Sequence, residues 1–182
     1  MWCRNLTLVM LLSFGSFVFA IEGDSVVGNA ALPGPYATSL YEGGKLFFIN
    51  NDDENFPVSL MLEYFTDAEG KVKTQIDRYS IEGGDPKVES VLFFPMQGKE
   101  NVWVTVSWEI NSRGEGTYGT FYQVYAYQKN QENKLVANDA ILLRDDLRGM
   151  DGYQGGHPIM FKYKSESEIK KLIAETFKPP AN

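Results

Sequence analysis

The residues that can carry chemistry are few, and the first group is one histidine with two acidic clusters. His157 is the only histidine of the chain, and neither a G-x-S-x-G nor an H-E-x-x-H motif accompanies it. A nucleophilic triad and a zinc site are therefore not indicated. Asp52-Asp53-Glu54 and Asp145-Asp146 are candidate calcium ligands or catalytic carboxylates. Neither cluster has the EF-hand spacing, and adjacent acids on a strand point to opposite faces. We predict solvated turn charges, a surface histidine, and neither cofactor nor metal.

A glycine-rich run is the second candidate. Gly114-Glu115-Gly116-Thr117-Tyr118-Gly119 is a literal G-x-G-x-x-G sequence, similar to the loop that protein kinases fold over ATP phosphates. The V-A-I-K, H-R-D and D-F-G segments of kinases are missing from the chain. A Rossmann site needs a helix after the glycines, whereas a strand is predicted here. We therefore predict a hairpin tip in which glycine supplies positive φ, and leave open whether the tip also binds a partner.

A second glycine-rich segment, residues 149–158, contains four glycines together with Asp151, Tyr153 and His157. Loops of this length and composition often carry binding residues. The segment is predicted to be a connection, either a secondary binding loop that uses these three residues or a flexible lead-in to a final helix.

The elements that position these residues are predicted to be mostly strands. Short apolar or alternating runs recur between turn residues, at the spacing of an all-β domain. The clearest strand is residues 101–110, where every second residue is apolar. The other predicted strands are 45–50, 58–66, 71–80, 88–94, 118–128 and 135–143. The predicted fold is mainly β, an antiparallel β-sandwich or a strongly curved sheet with one C-terminal amphipathic helix.

The helix is predicted near residues 166–177. Ser165 and Glu168 have the spacing of a capping box, and apolar residues after them fall on one face. Pro179 and Pro180 prevent its continuation.

The predicted strand 118–128 carries aromatic residues on both of its faces. Two arrangements are compatible with this pattern. One face and Trp103 of the neighbouring strand can form an exposed aromatic platform. Alternatively, a second sheet covers one face and a helix covers the other.

The N-terminus has the three parts of a secretory signal peptide. Arg4 precedes an apolar run over residues 6–19, and Val18 and Ala20 are small residues before a cut at Ile21. The run is shorter than the roughly 20 residues of a membrane span. We predict that residues 1–20 are a signal peptide and that residues 21–182 form one β-rich periplasmic domain.

The net charge and the cysteine content indicate what kind of partner and what kind of organism the protein belongs with. Removing Arg4 with the leader changes the net charge from -7 to -8. Such acidity argues against nucleic acid or anionic membranes as partners and favours a basic protein. The single cysteine lies in the leader, and no N-glycosylation sequon follows Ala20. Secreted eukaryotic domains of this size usually contain disulfides, so a bacterial periplasmic or secreted protein is predicted.

The stretch Ser112-Arg113-Gly114-Glu115-Gly116-Thr117-Tyr118 resembles the inserting loop of the bacterial periplasmic lysozyme inhibitors, which has the form S-G-x-x-Y. The resemblance implies that Ser112 and Tyr118 enter the cleft of an enzyme. Arg113 stands where that family has glycine, and the family's second motif, ending in T-K-G, is missing.

These observations predict a non-enzymatic periplasmic inhibitor, immunity or self-resistance protein that acts against a cell-wall-active enzyme, toxin or antibiotic. Its partner-binding residues are predicted to be Ser112, Arg113, Glu115 and Tyr118. Two alternatives stay open: an exported hydrolase that uses Asp145, Asp146 and His157, and a component of an envelope assembly.

Overall fold

The computed structural model of the protein describes residues 32–177. The predicted signal peptide, residues 1–20, and its cleavage site lie outside the described residues. Ten strands within the described range form two antiparallel sheets. The predicted mainly β fold with one C-terminal helix is therefore confirmed.

The first sheet has four strands in the order β1-β2-β3-β4. Their bounds are Tyr36–Ala37, Lys45–Asn50, Val58–Thr66 and Gly70–Tyr79. β2 and β3 have the predicted ends, because alternating apolar residues and flanking turn clusters mark both.

The second sheet has six strands, in the order β10-β9-β7-β6-β5, with β8 also paired to β7. β5 to β7 are Lys87–Phe93, Val102–Ser112 and Thr117–Lys129. β8 to β10 are Leu135–Ala137, Arg148–Gln154 and His157–Ile159. β6 and β7 are the longest strands of this sheet and form one continuous hairpin.

One face of the six-stranded sheet packs against the four-stranded sheet. Val104 and Val106 of β6 are fully buried there together with Leu60 of β3. Trp108 belongs to the same core, and its indole Nε1 donates a hydrogen bond to Ser80 O at 2.7 Å.

A buried hydrogen-bond chain connects the two sheets. Tyr79 Oη of β4 and Tyr127 Oη of β7 are 3.0 Å apart, and the Tyr127 hydroxyl donates to Asp77 Oδ2 at 2.8 Å. Burial raises the pKa of both tyrosines above the usual value for a phenol. Both hydroxyls therefore stay protonated and can act as donors near neutral pH.

The opposite face of the six-stranded sheet packs against helix α2, Glu166–Thr176. Ile169, Leu172 and Ile173 form the buried stripe of the helix. The predicted capping box is confirmed: Ser165 Oγ accepts from the Glu168 amide at 3.3 Å, and Glu168 Oε2 accepts from the Ser165 amide at 3.0 Å. Over residues 32–177, no helix has both the length and the apolarity needed to cross a membrane.

The aromatic residues of β7 are explained by this two-sided packing. Tyr125 and Tyr127 face the inter-sheet core, while Tyr122 faces the helix side. Trp103 is 1% exposed, and its Nε1 donates to Phe94 O at 3.0 Å. The alternative of an exposed platform containing Trp103 is therefore wrong.

Two predicted segments differ in the structure. The strand predicted over residues 135–143 ends at Ala137, because Asn138 caps a short helix α1, Asp139–Leu142, with its side chain accepting from the Ala140 amide at 3.2 Å. Residues 149–158, predicted to be a loop, instead form β9, β10 and the tight turn between them.

We predict that Val104→Asp destabilises the protein by about 4 kcal/mol, because a carboxylate would be buried without a partner. Asn111→Asp, at an exposed position of the same strand, is the matched control and should change the free energy of unfolding by less than about 0.5 kcal/mol. Urea unfolding followed by circular dichroism measures both. Equal stability of the two variants would contradict the assignment of faces on β6.

Candidate functional site

The tip of the β6–β7 hairpin is a single 3₁₀ turn. Arg113–Glu115 forms the turn, and Gly116 ends it with a left-handed φ of 68°. Ser112 Oγ donates to Glu115 Oε2 at 3.1 Å. The glycine-rich run is therefore a hairpin tip, as predicted, and a left-handed glycine closes it.

The β9–β10 hairpin lies directly beside this tip. The Gly156 amide donates to Gly116 O at 2.9 Å, and the Gly155 amide donates to Thr117 Oγ1 at 3.2 Å. The two glycine-rich segments, about 40 residues apart in sequence, thus form one surface. We call residues 112–118 and 153–157 together the double-hairpin end.

Two stacked tyrosines join the two hairpins of the double-hairpin end, on the face of the sheet that also packs against α2. The Tyr118 and Tyr153 rings are 4.8 Å apart with an interplanar angle of 17°. Arg113 Cζ lies 4.6 Å from the centroid of the Tyr118 ring. Tyr153 remains 39% exposed. A guanidinium beside a half-buried and an exposed tyrosine has the composition of binding hot spots.

Tyr118 is not at the outermost point of the tip. It is the second residue of β7 and pairs with Tyr153 of β9. Arg113, Gly114 and Glu115 are the exposed residues of the turn. Arg113 and Glu115 are therefore presented outwards, while Tyr118 supports Arg113 from beneath.

Asp151 and His157, the other two candidate residues of the segment 149–158, do not take part in the tyrosine stack. Asp151 forms an ion pair with Lys164, just before helix α2, and so joins β9 to the start of the helix. This hydrogen bond raises the pKa of Lys164. His157 is exposed at the first position of β10 and pairs with Gln154.

Three aspartates of the two acidic clusters accept hydrogen bonds from arginines. Asp53 Oδ2 accepts from Arg78 at 3.1 Å. Asp146 accepts two bonds from Arg144, at 2.6 and 2.8 Å, and Asp145 accepts one from Arg148 at 2.6 Å. The bonds from Arg144 lower the pKa of Asp146, which makes it a poor general acid. Among residues 32–177, no three His, Cys, Asp or Glu side chains are grouped so that they can hold a metal.

A glycine pair that sequence reasoning missed lets β7 and β9 approach closely. Gly119 (φ 130°) faces Gly152 (φ 146°) across the two strands. A Cβ at Gly152 would lie 2.4 Å from Tyr118 O, and a Cβ at Gly119 would lie 2.4 Å from Asp151 O. Recognising residues 148–154 as a strand is the signal that would have revealed the pair.

We predict that Gly152→Ala destabilises the protein by about 3 kcal/mol, because it combines backbone strain with a clash against a neighbouring strand. Gly114→Ala is the matched control, since its Cβ would meet nothing within 4 Å. Thermal unfolding measures both changes. If Gly152→Ala has the same melting temperature as the wild type, the interpretation of the glycine pair is contradicted.

No protein-family model, no curated protein and no solved structure matches this chain. The resemblance of residues 112–118 to the loop of periplasmic lysozyme inhibitors therefore stays a prediction. The candidate site is defined by its own geometry, which is two joined hairpins with a stacked tyrosine pair and an arginine at their end.

Proposed function

We propose that this chain is an exported, non-enzymatic binding protein that blocks a cell-wall-active enzyme, toxin or antibiotic. The double-hairpin end is the part that contacts the partner, and Arg113, Glu115, Tyr118 and Tyr153 supply the contacts. Ser112 fixes Glu115 through its hydrogen bond. The protein acts by occlusion of the partner's site, as an inhibitor or an immunity protein does.

The observation that best supports this proposal is that the tip of the β6–β7 hairpin is hydrogen-bonded to the tip of the β9–β10 hairpin. A lone glycine-rich tip loses conformational entropy when it binds. Here, the bonds to Gly116 and Thr117 and the stack of Tyr118 on Tyr153 hold the tip before binding. Such preorganisation raises affinity without additional contacts.

The charge of the protein supports a basic partner. The sequence pI is about 4.8, whereas many enzymes that act on anionic cell walls are basic. Complementary charge steers the two proteins together and raises the association rate.

The hydrolase alternative receives less support from the geometry. Asp145 and Asp146 are each bonded to an arginine, and the bonds from Arg144 lower the pKa of Asp146. The assembly alternative needs a sheet edge that can accept a further strand. Edge strand β10 beside the candidate site is a poor acceptor, because it has only three residues and its central residue, Pro158, has no amide N–H to donate. Edge strands β4 and β5 are longer, with ten and seven residues, so this alternative would use an edge away from the double-hairpin end.

We predict that Arg113→Ala weakens partner binding roughly tenfold, or about 1.4 kcal/mol, because it removes an exposed cationic anchor. Arg78→Ala is the matched control: Arg78 also stacks on an aromatic ring, that of Phe56 at 4.3 Å, but on the other sheet. Both variants should melt close to the wild type. Inhibition of lysozyme in a cell-wall turbidity assay, together with capture from periplasmic extract, measures binding.

Equal loss in both arginine variants would contradict a role for the double-hairpin end. If wild-type protein inhibits no lysozyme and captures no cell-wall-active protein, the proposed function is wrong.

We also predict that the association rate with a basic partner falls at least tenfold between low salt and about 1 M salt, where the Debye length is only about 3 Å. The dissociation rate should change much less, because steering acts on the encounter. Surface plasmon resonance at several ionic strengths separates the two rates. An association rate that is independent of salt would argue against charge steering.

A further inference from the structure

A row of four residues crosses the exposed end of the six-stranded sheet, on the face opposite the tyrosine stack. Ile110 of β6 pairs with Gly119, Gly119 with Gly152, and Gly152 with Ile159 of β10. Paired residues share a face, so isoleucine side chains lie at both ends of the row and only backbone lies between them. With strands about 4.8 Å apart, the isoleucine Cα atoms are separated by about 14 Å. We call this space the glycine slot.

The two isoleucines at the ends of the glycine slot line an open cleft of about 600 Å³. Phe121 and Met150 line one side of the cleft, and Thr117 and Gln154 line the side nearer the hairpin tips. This volume is within the range of about 300 to 1,000 Å³ that small-molecule sites occupy. The apolar part of the cleft is formed by two isoleucines, a phenylalanine and a methionine, and the polar side chains beside it include two carboxylates and an arginine.

A carboxylate lies at the β6 end of the slot. Glu82 lines the cleft, and the next residue, Gly83, approaches Ile110 so closely that an added Cβ would be 3.1 Å from Ile110 Cδ1. Glu82 accepts a hydrogen bond from Ser80 Oγ at 2.9 Å, and within residues 32–177 it forms no ion pair. The other two charged residues of the cleft, Arg148 and Asp145, are paired with each other at 2.6 Å, so Glu82 is the carboxylate of the cleft that has no cation beside it in the described part of the chain.

We propose that the glycine slot binds an apolar chain that ends in an ammonium group. The chain lies over the backbone of Gly119 and Gly152 and covers Ile110 and Ile159, which removes apolar surface from water. The ammonium group faces Glu82, whose charge also repels a chain that ends in a carboxylate. The proposal does not depend on the proposed function, because the slot and the Arg113–Tyr118–Tyr153 stack occupy opposite faces of the sheet.

The test uses n-hexylammonium as the probe and the Met150 methyl group as the reporter. The chain without its predicted leader carries ¹³C-methyl methionine, and the signal is followed by NMR during titration. We expect a saturable shift at Met150, with Met61 and Met96 unchanged. Hexanoate should bind at least fivefold more weakly than n-hexylammonium. Equal affinity for the two probes, or shifts at Met61 and Met96 as large as that at Met150, would overturn the proposal.

Two substitutions make the test specific. Glu82→Gln should raise the dissociation constant of n-hexylammonium about fivefold and leave that of neutral hexanol unchanged. Glu69→Gln, which alters an exposed carboxylate in the turn between β3 and β4, is the matched control and should have no effect. Equal effects of the two variants would overturn the role of Glu82. Ile159→Lys, at an exposed position of an edge strand, should abolish binding while the melting temperature stays near that of the wild type.

Free alkylamines and lysine side chains of proteins share this chemistry. Nα-acetyl-lysine amide, added to the protein saturated with n-hexylammonium, distinguishes the two sources. Displacement of n-hexylammonium assigns the slot to lysine side chains, and failure to displace it assigns the slot to free amines.

Discussion

The structure depends on the six-stranded sheet, whose two faces both need packing partners. The strands of this sheet are longer than helix α2, which packs against one of the faces. β6 has 11 residues and α2 also has 11, yet a strand of that length spans about 37 Å and a helix about 17 Å. Residues 102–107 of β6 are buried without interruption, whereas Glu109 and Asn111 are exposed. The end of the β6–β7 hairpin therefore extends past the covered region. Everything that we assign to binding lies in this uncovered part.

Because little core lies beneath the double-hairpin end, other interactions must hold it. None of the residues 113–115 is buried. Apolar packing is replaced there by two hydrogen bonds from backbone amides, the stack of Tyr118 on Tyr153, and the close approach of Gly119 to Gly152. A typical hydrogen bond contributes only about 1 kcal/mol net, so the end is held by several modest interactions together. The same glycines that permit this approach leave the opposite face without side chains, which creates the slot.

The sequence predicted those elements whose local pattern agrees with their packing. Strand alternation located β2, β3 and β6, and the Ser165–Glu168 capping box located α2. Residues 149–158 were missed because glycine usually interrupts strands, whereas here Gly152 is needed for contact with another strand. The pairing of Tyr118 with Tyr153 is also invisible to local patterns, because it depends on how two separate hairpins align. The sequence can therefore indicate individual candidate residues, but not that the fold brings Tyr118 and Tyr153 together on one surface.

The positions of the two tryptophans on β6 have a spectroscopic consequence. Trp103 belongs to the core under helix α2 and Trp108 to the core between the sheets, and each is 1% exposed. The chain contains one further tryptophan, Trp2, in the predicted leader. In a chain that lacks residues 1–20, tryptophan fluorescence therefore reports only the two cores, with one indole in each. If Trp103 is replaced by phenylalanine, the emission of Trp108 follows the core between the sheets alone, and the reverse substitution follows the core under α2. Unfolding of the two variants then shows whether the helix or the four-stranded sheet separates first from β6.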